Sequence, residues 1–283
     1  MCRFKSGIIL KNRVVVSQDS NDSHSHLLEQ LNIADTSENA ITKFVRAELV
    51  PPNNEWWSNP DSWEFVVDQD IVPEWFEKDT EKYKQNFITA VREWCSEHIL
   101  IDKVIDELTS GYYMLKRSKV KKLLNDVKVM CDSSTVEEMY GSSTVKEMYD
   151  SSTVERMYDS STVERMCGSS TVKVMCGSST VKVMYGSSTV KEMYDSSTVE
   201  EMYGSSTVKV MCGSSTVKEM YDSSTVERMC GSSTVKVMCG SSTVERMCGI
   251  STVKVMYGSS IARDIGNKKI MISNECDYEI IKK

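Results

Sequence analysis

From Cys131 to Met256 the apolar positions keep one beat. Valine stands at the sixth place and methionine at the ninth of a nine-residue unit, (Tyr/Cys)-(Gly/Asp)-Ser-Ser-Thr-Val-x-x-Met, repeated fourteen times without a gap. A fixed period of this kind means one structural unit stacked on itself. Gly or Asp with two serines returns every nine residues, which stops any helix within two turns, below the length at which helices hold. Thr-Val beside Tyr or Cys, bounded by Gly/Asp-Ser-Ser, predicts instead a short strand followed by a turn. Asp replaces Gly at the second place because both tolerate the left-handed turn conformation.

Nine residues cannot enclose a core. Two units make an eighteen-residue coil with a strand on each side and a thin seam between them, so the pattern predicts a flattened β-solenoid with two units per coil. Seven such coils at ~4.8 Å per strand give a rod of roughly 34 Å. Val136, Val145, Val154 and their successors cannot share one face of an alternating strand with Met139, Met148 and Met157. Places seven and eight must therefore both face outward across a bend or bulge. Their contents agree: Lys or Glu at seven, Val, Glu or Arg at eight. The predicted core is Val and Met of every unit, with the second serine (Ser134, Ser143, Ser152 and onward) pointing inward near the turn. Its hydroxyl is expected to bond the next coil's serine or backbone. Eighteen-residue spacing also stacks Tyr185, Tyr203 and Tyr221 in one column, and Cys212, Cys230 and Cys248 in another.

The segment Asn125–Met130 is in phase with the repeat, so the solenoid is expected to begin one or two degenerate coils earlier. Its domain is placed at 111–265, with the regular repeats at 131–256. Residues 266–283 read as a C-terminal cap, ending in Ile280-Ile281-Lys282-Lys283, whose lysines discourage end-to-end pairing of an open sheet edge. Residues 1–110 are aperiodic, hold all five tryptophans and read as an α+β head domain. Gly7–Val16 predicts a strand pair or bent strand, Ser25–Leu31 a short helix with a serine cap, and Lys43–Val50 and Trp63–Val67 two further strands. A long amphipathic helix is expected from Pro73, with Tyr83, Phe87, Ala90, Val91 and Trp94 at helical spacing.

The head run Phe65-Val66-Val67-Asp68-Gln69-Asp70, then Pro73-Glu74-Trp75-Phe76, a long helix and Ser-Thr-Val-type short repeats resembles an uncharacterised family encoded by bacteriophages and gut bacteria. In that family a similar α+β head precedes a low-complexity β-solenoid tail. The resemblance implies phage or prophage origin and cytoplasmic expression in a bacterial host. It implies no catalytic residues.

The formal charge of -7 is shared between the repeats and the head, and no segment is strongly basic. Phosphate-backbone binding is therefore disfavoured. Seven of the ten cysteines share one repeat place with tyrosine, an exchange that a disulfide does not tolerate. The first residues lack the apolar stretch of a signal peptide, and no run approaches the ~20 residues of a membrane span. These features predict a soluble chain with free thiols in a reducing cytoplasm. The variable places differ by single codon bases, as in a duplicated segment under point drift. Ser, Thr, Val and Met withstood that drift, with Ile250 the one break in the serine column.

Asp68, Asp70 and Glu74 form an acidic cluster beside Trp75 that suits paired carboxylates or a divalent metal, yet no partner base or phosphate loop accompanies them. A strand end followed by an Asp-capped, proline-initiated helix explains the same residues, and they are retained as candidate interaction residues. Cys2 suggests an N-terminal nucleophile but reads as a plain thiol at the start of a strand. His24 and His26 lack a third ligand, and His98 lies at the edge of an apolar stripe as a packing residue. Trp56, Trp57, Trp63 and Trp75 suit a core better than a groove. No catalytic residue, cofactor or metal site is assigned.

These features favour a non-enzymatic structural or interaction protein, a globular head on a rigid repeat rod. Its expected partner is an unknown protein, with no nucleic acid and no membrane, and self-association through solenoid edges or faces. Three alternatives stand beside it. An ice-binding or ice-nucleation-like solenoid draws on outward threonines, although Lys or Glu two residues away interrupts a threonine-only plane. A DNA-mimicking acidic rod is weakened by the modest charge. An unrecognised enzyme in the head lacks a site from which to argue it.

Overall fold

Hydrophobic alternation in Gly7–Val16 resolves into a hairpin of β1 (Lys5–Leu10) and β2 (Arg13–Val16), and β3 (Phe44–Val50) and β4 (Glu64–Val67) complete an antiparallel sheet ordered β2-β1-β3-β4. The structure is a computed structural model that describes residues 4–18, 21–109, 111–263 and 279–281. Two units divide the chain, Met1–Ile99 and Leu100–Lys283. Cys2, most of the expected C-terminal cap, and Lys282 and Lys283 lie outside the described residues.

Helices α1 (His24–Gln30), α2 (Ser37–Ala40), α3 (Glu74–Glu77) and α4 (Thr80–His98) join the sheet. One sheet face packs Ile8 and Phe44 against Leu27 and Leu28 of α1. The other receives α4 through Gly7, where an added Cβ would sit 2.6 Å from the Phe87 ring. Tyr83, Phe87, Val91 and Trp94 are buried as their spacing predicts. The helix expected from Pro73 is interrupted, however. Asp79 leaves helical geometry at φ -143° and ψ 36°, so one turn, α3, precedes the long α4. Thr80 Oγ1 donates to Phe76 O at 3.0 Å, which ties the two pieces together. The serine cap also differs: α1 starts at His24, and Ser23 makes no side-chain cap bond.

A charge lies in this core. Lys5 Nζ bonds Asp22 Oδ1 at 2.7 Å with both side chains almost fully enclosed, and the ammonium sits 4.0 Å from the centroid of the Trp94 ring. His98 stacks on that ring from the other direction in sequence, with centroids 4.7 Å apart, and burial lowers its basicity.

Parallel coils begin at Ile99–Ile101 and alternate between a ten-stranded and an eleven-stranded sheet. Eleven strands at ~4.8 Å span about 48 Å. The boundary thus falls near residue 99 rather than 110, because Val104–Leu108 already pairs in parallel with Lys119–Leu123. Those first coils are shorter, so their residues do not fall on the eighteen-residue beat.

In the regular array Thr135, Val136, Glu138 and Met139 pair with Thr153, Val154, Arg156 and Met157. Each partner lies eighteen residues on, which gives two units per coil. Place seven has no partner in the ladder, and this irregularity lets Val and Met both turn inward. The seam they form is fully enclosed save for slight exposure of Met247. Every unit turns through a left-handed residue at place two, such as Asp150 at φ 56° and Gly168 at φ 66°. Corners bond between coils as the strands do: Ser151 N to Asp132 O at 3.0 Å and Thr153 N to Ser134 O at 2.8 Å.

Asp at place two adds a bond that Gly lacks. Asp159 and Asp222 accept from the backbone N–H of Gly141 and Gly204 on the preceding coil, at 3.1 and 2.9 Å. This offsets the steric cost of a left-handed non-glycine residue. The inward serines depart from expectation. Ser134 and Ser251 donate to carbonyls of their own turns, Cys131 and Cys248, at 2.8 Å each. The hydroxyls of Ser143, Ser152, Ser188 and the rest of the column through Ser242 are buried without a hydrogen-bond partner. The main-chain groups beside them are bonded within the turn and between coils, as with Ser188 N to Tyr185 O and Thr207 N to Ser188 O respectively.

Tyr185, Tyr203 and Tyr221 stack as predicted, with centroids 5.3 and 4.8 Å apart, and Tyr140 stacks on Tyr158. Wherever Glu occupies place eight, Tyr follows two residues later, and its hydroxyl donates to that carboxylate: Tyr140 to Glu138 at 2.6 Å, Tyr149 to Glu147 at 2.7 Å, Tyr194 to Glu192 at 2.8 Å. The bond to Glu138 pushes the Tyr140 hydroxyl up to about 12. Among the described residues, no helix is long and apolar enough to cross a membrane.

Candidate functional site

The head gives its four candidate residues four separate surroundings. Asp68 leaves β4 with its N–H donating to Arg46 O at 2.9 Å, and its carboxylate lies 3.2 Å from Nδ1 of His24. Gln69 then fixes the chain: its side-chain oxygen accepts from Arg46 N at 2.8 Å, and its amide donates to Ile71 O at 2.8 Å. Asp70 lines a cleft of about 380 Å³ with Asp35, Thr36, Ile41, Arg46 and Gln69. Arg46 is ion-paired with Asp35 there. Glu74 pairs instead with Lys78 at 2.6 Å, a hydrogen bond that holds its carboxyl below the usual range. Trp75 donates its indole N–H to Thr42 O at 2.9 Å and packs edge-on against Tyr83. The helix after β4 is not capped by Asp68 or Asp70, since Pro73 occupies the cap position.

Asp68 has two other companions. His24 opens α1 and Glu48 sits on β3, and with Asp68 they bring three ligand atoms within 4.8 Å of one another. The His24 side chain is 10% exposed, and its Nε2 lies 3.1 Å from Ala47 O. Glu48 is raised above the ordinary carboxylate range, first by burial and then by the nearby charge of Asp68. His26 does not join them: it turns to Gln30 at 3.0 Å, one helical turn on. Trp56 and Trp63 form an edge-to-face pair in the head core, with Trp63 Nε1 donating to Ser58 Oγ at 2.8 Å.

Glu48 escaped the reading of the sequence, although a signal was present. Phe44-Val45-Arg46-Ala47-Glu48-Leu49-Val50 places two charges at alternate positions of an otherwise apolar strand, and alternation sets both on one face. That face carries Arg46 to the cleft and Glu48 to His24. The arrangement offers one imidazole and two carboxylates as ligands, and beside it a polar cleft with the exposed apolar edges of Ile41 and Ile71. No family model, no curated protein and no solved structure matches the chain.

Proposed function

We propose that this is a non-enzymatic structural or interaction protein, in which the solenoid is a rigid scaffold and the head carries recognition of a protein partner. The observation that supports this best is the sameness of the coils. Strand after strand repeats one Val/Met seam and one ladder, so no coil offers a chemistry that its neighbours lack. Recognition then rests with the unit whose residues are unique, and the cleft beside Asp70 supplies both charge and exposed apolar surface. The head motif supports phage or gut-bacterial origin, and the free cysteines at Cys95 and along the array fit a reducing compartment.

Quantitative affinity capture from bacterial lysate tests this with three full-length forms: the natural chain, one lacking two coils (thirty-six residues), and Asp70→Lys. The reading expects the same partners for the first two and their loss in the third. Partners that fall away as coils are removed, with Asp70→Lys binding normally, would place recognition on the repeats instead.

A further inference from the structure

We propose that His24, Glu48 and Asp68 bind one divalent transition-metal ion of the Zn²⁺ or Mn²⁺ class, through Nδ1 of the imidazole and an oxygen of each carboxylate. The three residues come from separate parts of the head and are each set by backbone structure. Glu48 lies mid-sheet, paired with Ser6 on β1 and Val66 on β4. Asp68 is held by its bond to Arg46 O, and His24 by the start of α1.

The histidine carries the argument. Ala47 O only accepts, so Nε2 at 3.1 Å carries a proton and donates to it. In a neutral ring this turns the lone pair of Nδ1 toward Asp68 Oδ2 at 3.2 Å. A lone pair facing an anionic oxygen at that distance requires a proton or a cation between them. Anchoring the far ring nitrogen on a backbone carbonyl is how metal-bound histidines are oriented. The 3.2 Å separation also matches the edge of a tetrahedron whose metal–ligand bonds are ~2.0 Å.

Two further observations favour the cation. Both carboxylates share one partly enclosed place beside the imidazole, and a dication between them relieves the repulsion of two like charges held that close. Directly across from Glu48, on the face covered by α1, Ser6 is fully buried with a hydroxyl that has no hydrogen-bond partner. A water bound to the ion would give it one. One imidazole with two carboxylates suits Zn²⁺ or Mn²⁺ better than Ca²⁺ or Mg²⁺, which favour all-oxygen sites, or Cu⁺, which favours sulfur.

The test uses the full-length chain with Mn²⁺ followed by electron paramagnetic resonance and Co²⁺ followed by its absorption. Mn²⁺ avoids thiols, and cobalt bound by thiolate shows an intense near-ultraviolet band that nitrogen and oxygen ligands do not give. The proposal expects one bound ion per chain with a nitrogen/oxygen spectrum. Affinity should fall at least tenfold in Asp68→Asn and Glu48→Gln and stay unchanged in Asp70→Asn. Asp68 is 58% exposed and keeps its backbone bond in the variant, so folding is preserved and checked by circular dichroism. No uptake, a thiolate spectrum alone, or equal uptake in Asp68→Asn would overturn it and leave a proton on Nδ1 as the bridge.

Discussion

In the solenoid, Met184 is paired with Met166 before it and Met202 after it, and the same holds along the whole column. In the head, Phe87 lies against Gly7 and Phe65, contacts made once and nowhere else. The solenoid draws stability from nearest-neighbour terms that add along the stack, so a defect is local and a missing copy is replaceable. The head has no spare copies. Its core depends on single fits, among them a buried ion pair that only one lysine and one aspartate can make.

The largest effect is expected where repetition cannot help, at a charge inside the seam. Val190 pairs with Val172 and Val208 in a fully buried column. Val190→Asp should cost the array on the order of 5 kcal/mol or more, because a carboxylate there has no partner. Far-ultraviolet circular dichroism should show β signal lost from the middle coils while the tryptophan signal, which arises only in the head, melts as before. An unchanged β signal and melting would remove Val190 from the core. Next in size is Asp22→Ala, which takes the carboxylate away from the buried Lys5 ammonium and should cost the head about 3–5 kcal/mol. Tryptophan fluorescence should report this loss with the β signal of the array intact; a head that melts at its natural temperature would show that Lys5 does not depend on Asp22.

The two units also differ in how far their sequences disclosed them. Where a residue's neighbours are its own repeats, period alone gives the contacts: the Val/Met seam, the left-handed place two and the tyrosine column followed from spacing. Degenerate coils were expected from residue 111, but the strands before it were not, because Val104 pairs with Lys119 and Lys119 with Thr135 at intervals shorter than eighteen. The unbonded serines were missed because composition marks a hydroxyl as needing a partner but does not show where the turn aims it. In the head, His24, Glu48 and Asp68 are about twenty residues apart at each step, and no spacing rule joins a helix start to two strands. Asp79 interrupts a helix whose apolar stripe runs on in phase from Tyr83, so periodicity continues past the point where the backbone turns.

A smaller effect separates the seam from its outer columns. Removing the eighteen residues 194–211 takes out one coil, keeps every later strand in its own sheet and brings Tyr221 onto Tyr185 in the tyrosine column. Removing nine moves all later strands to the opposite sheet. The seam is the same on both sides, so the array should still form. Columns outside it are broken at the junction: with the nine residues 194–202 removed, Tyr185 loses its stack with Tyr203 and meets Cys212 instead. Such exposed contacts contribute up to about 1 kcal/mol each. The nine-residue deletion should therefore melt a few degrees below the eighteen-residue one, and equal melting would show that outer columns add nothing to register.

The smallest effect tests why serine persists at a place where its hydroxyl bonds nothing. Ser188 is fully buried with Oγ unpartnered, between Ser170 and Ser206 in the same condition. If serine were kept for a hydrogen bond, its loss would cost about 1 kcal/mol. If it is kept because the corner admits only a small side chain, Ser188→Ala removes an unsatisfied polar atom and should leave stability within about 1 kcal/mol of natural, or raise it slightly. Ser188→Leu should do the opposite, since added volume in a closed corner forces the turn apart at about 1–3 kcal/mol. Denaturant melts of both variants decide the matter. A clear loss in Ser188→Ala would mean that the hydroxyls bond one another along the column in solution, and the array would then hold a polar ladder as well as an apolar seam.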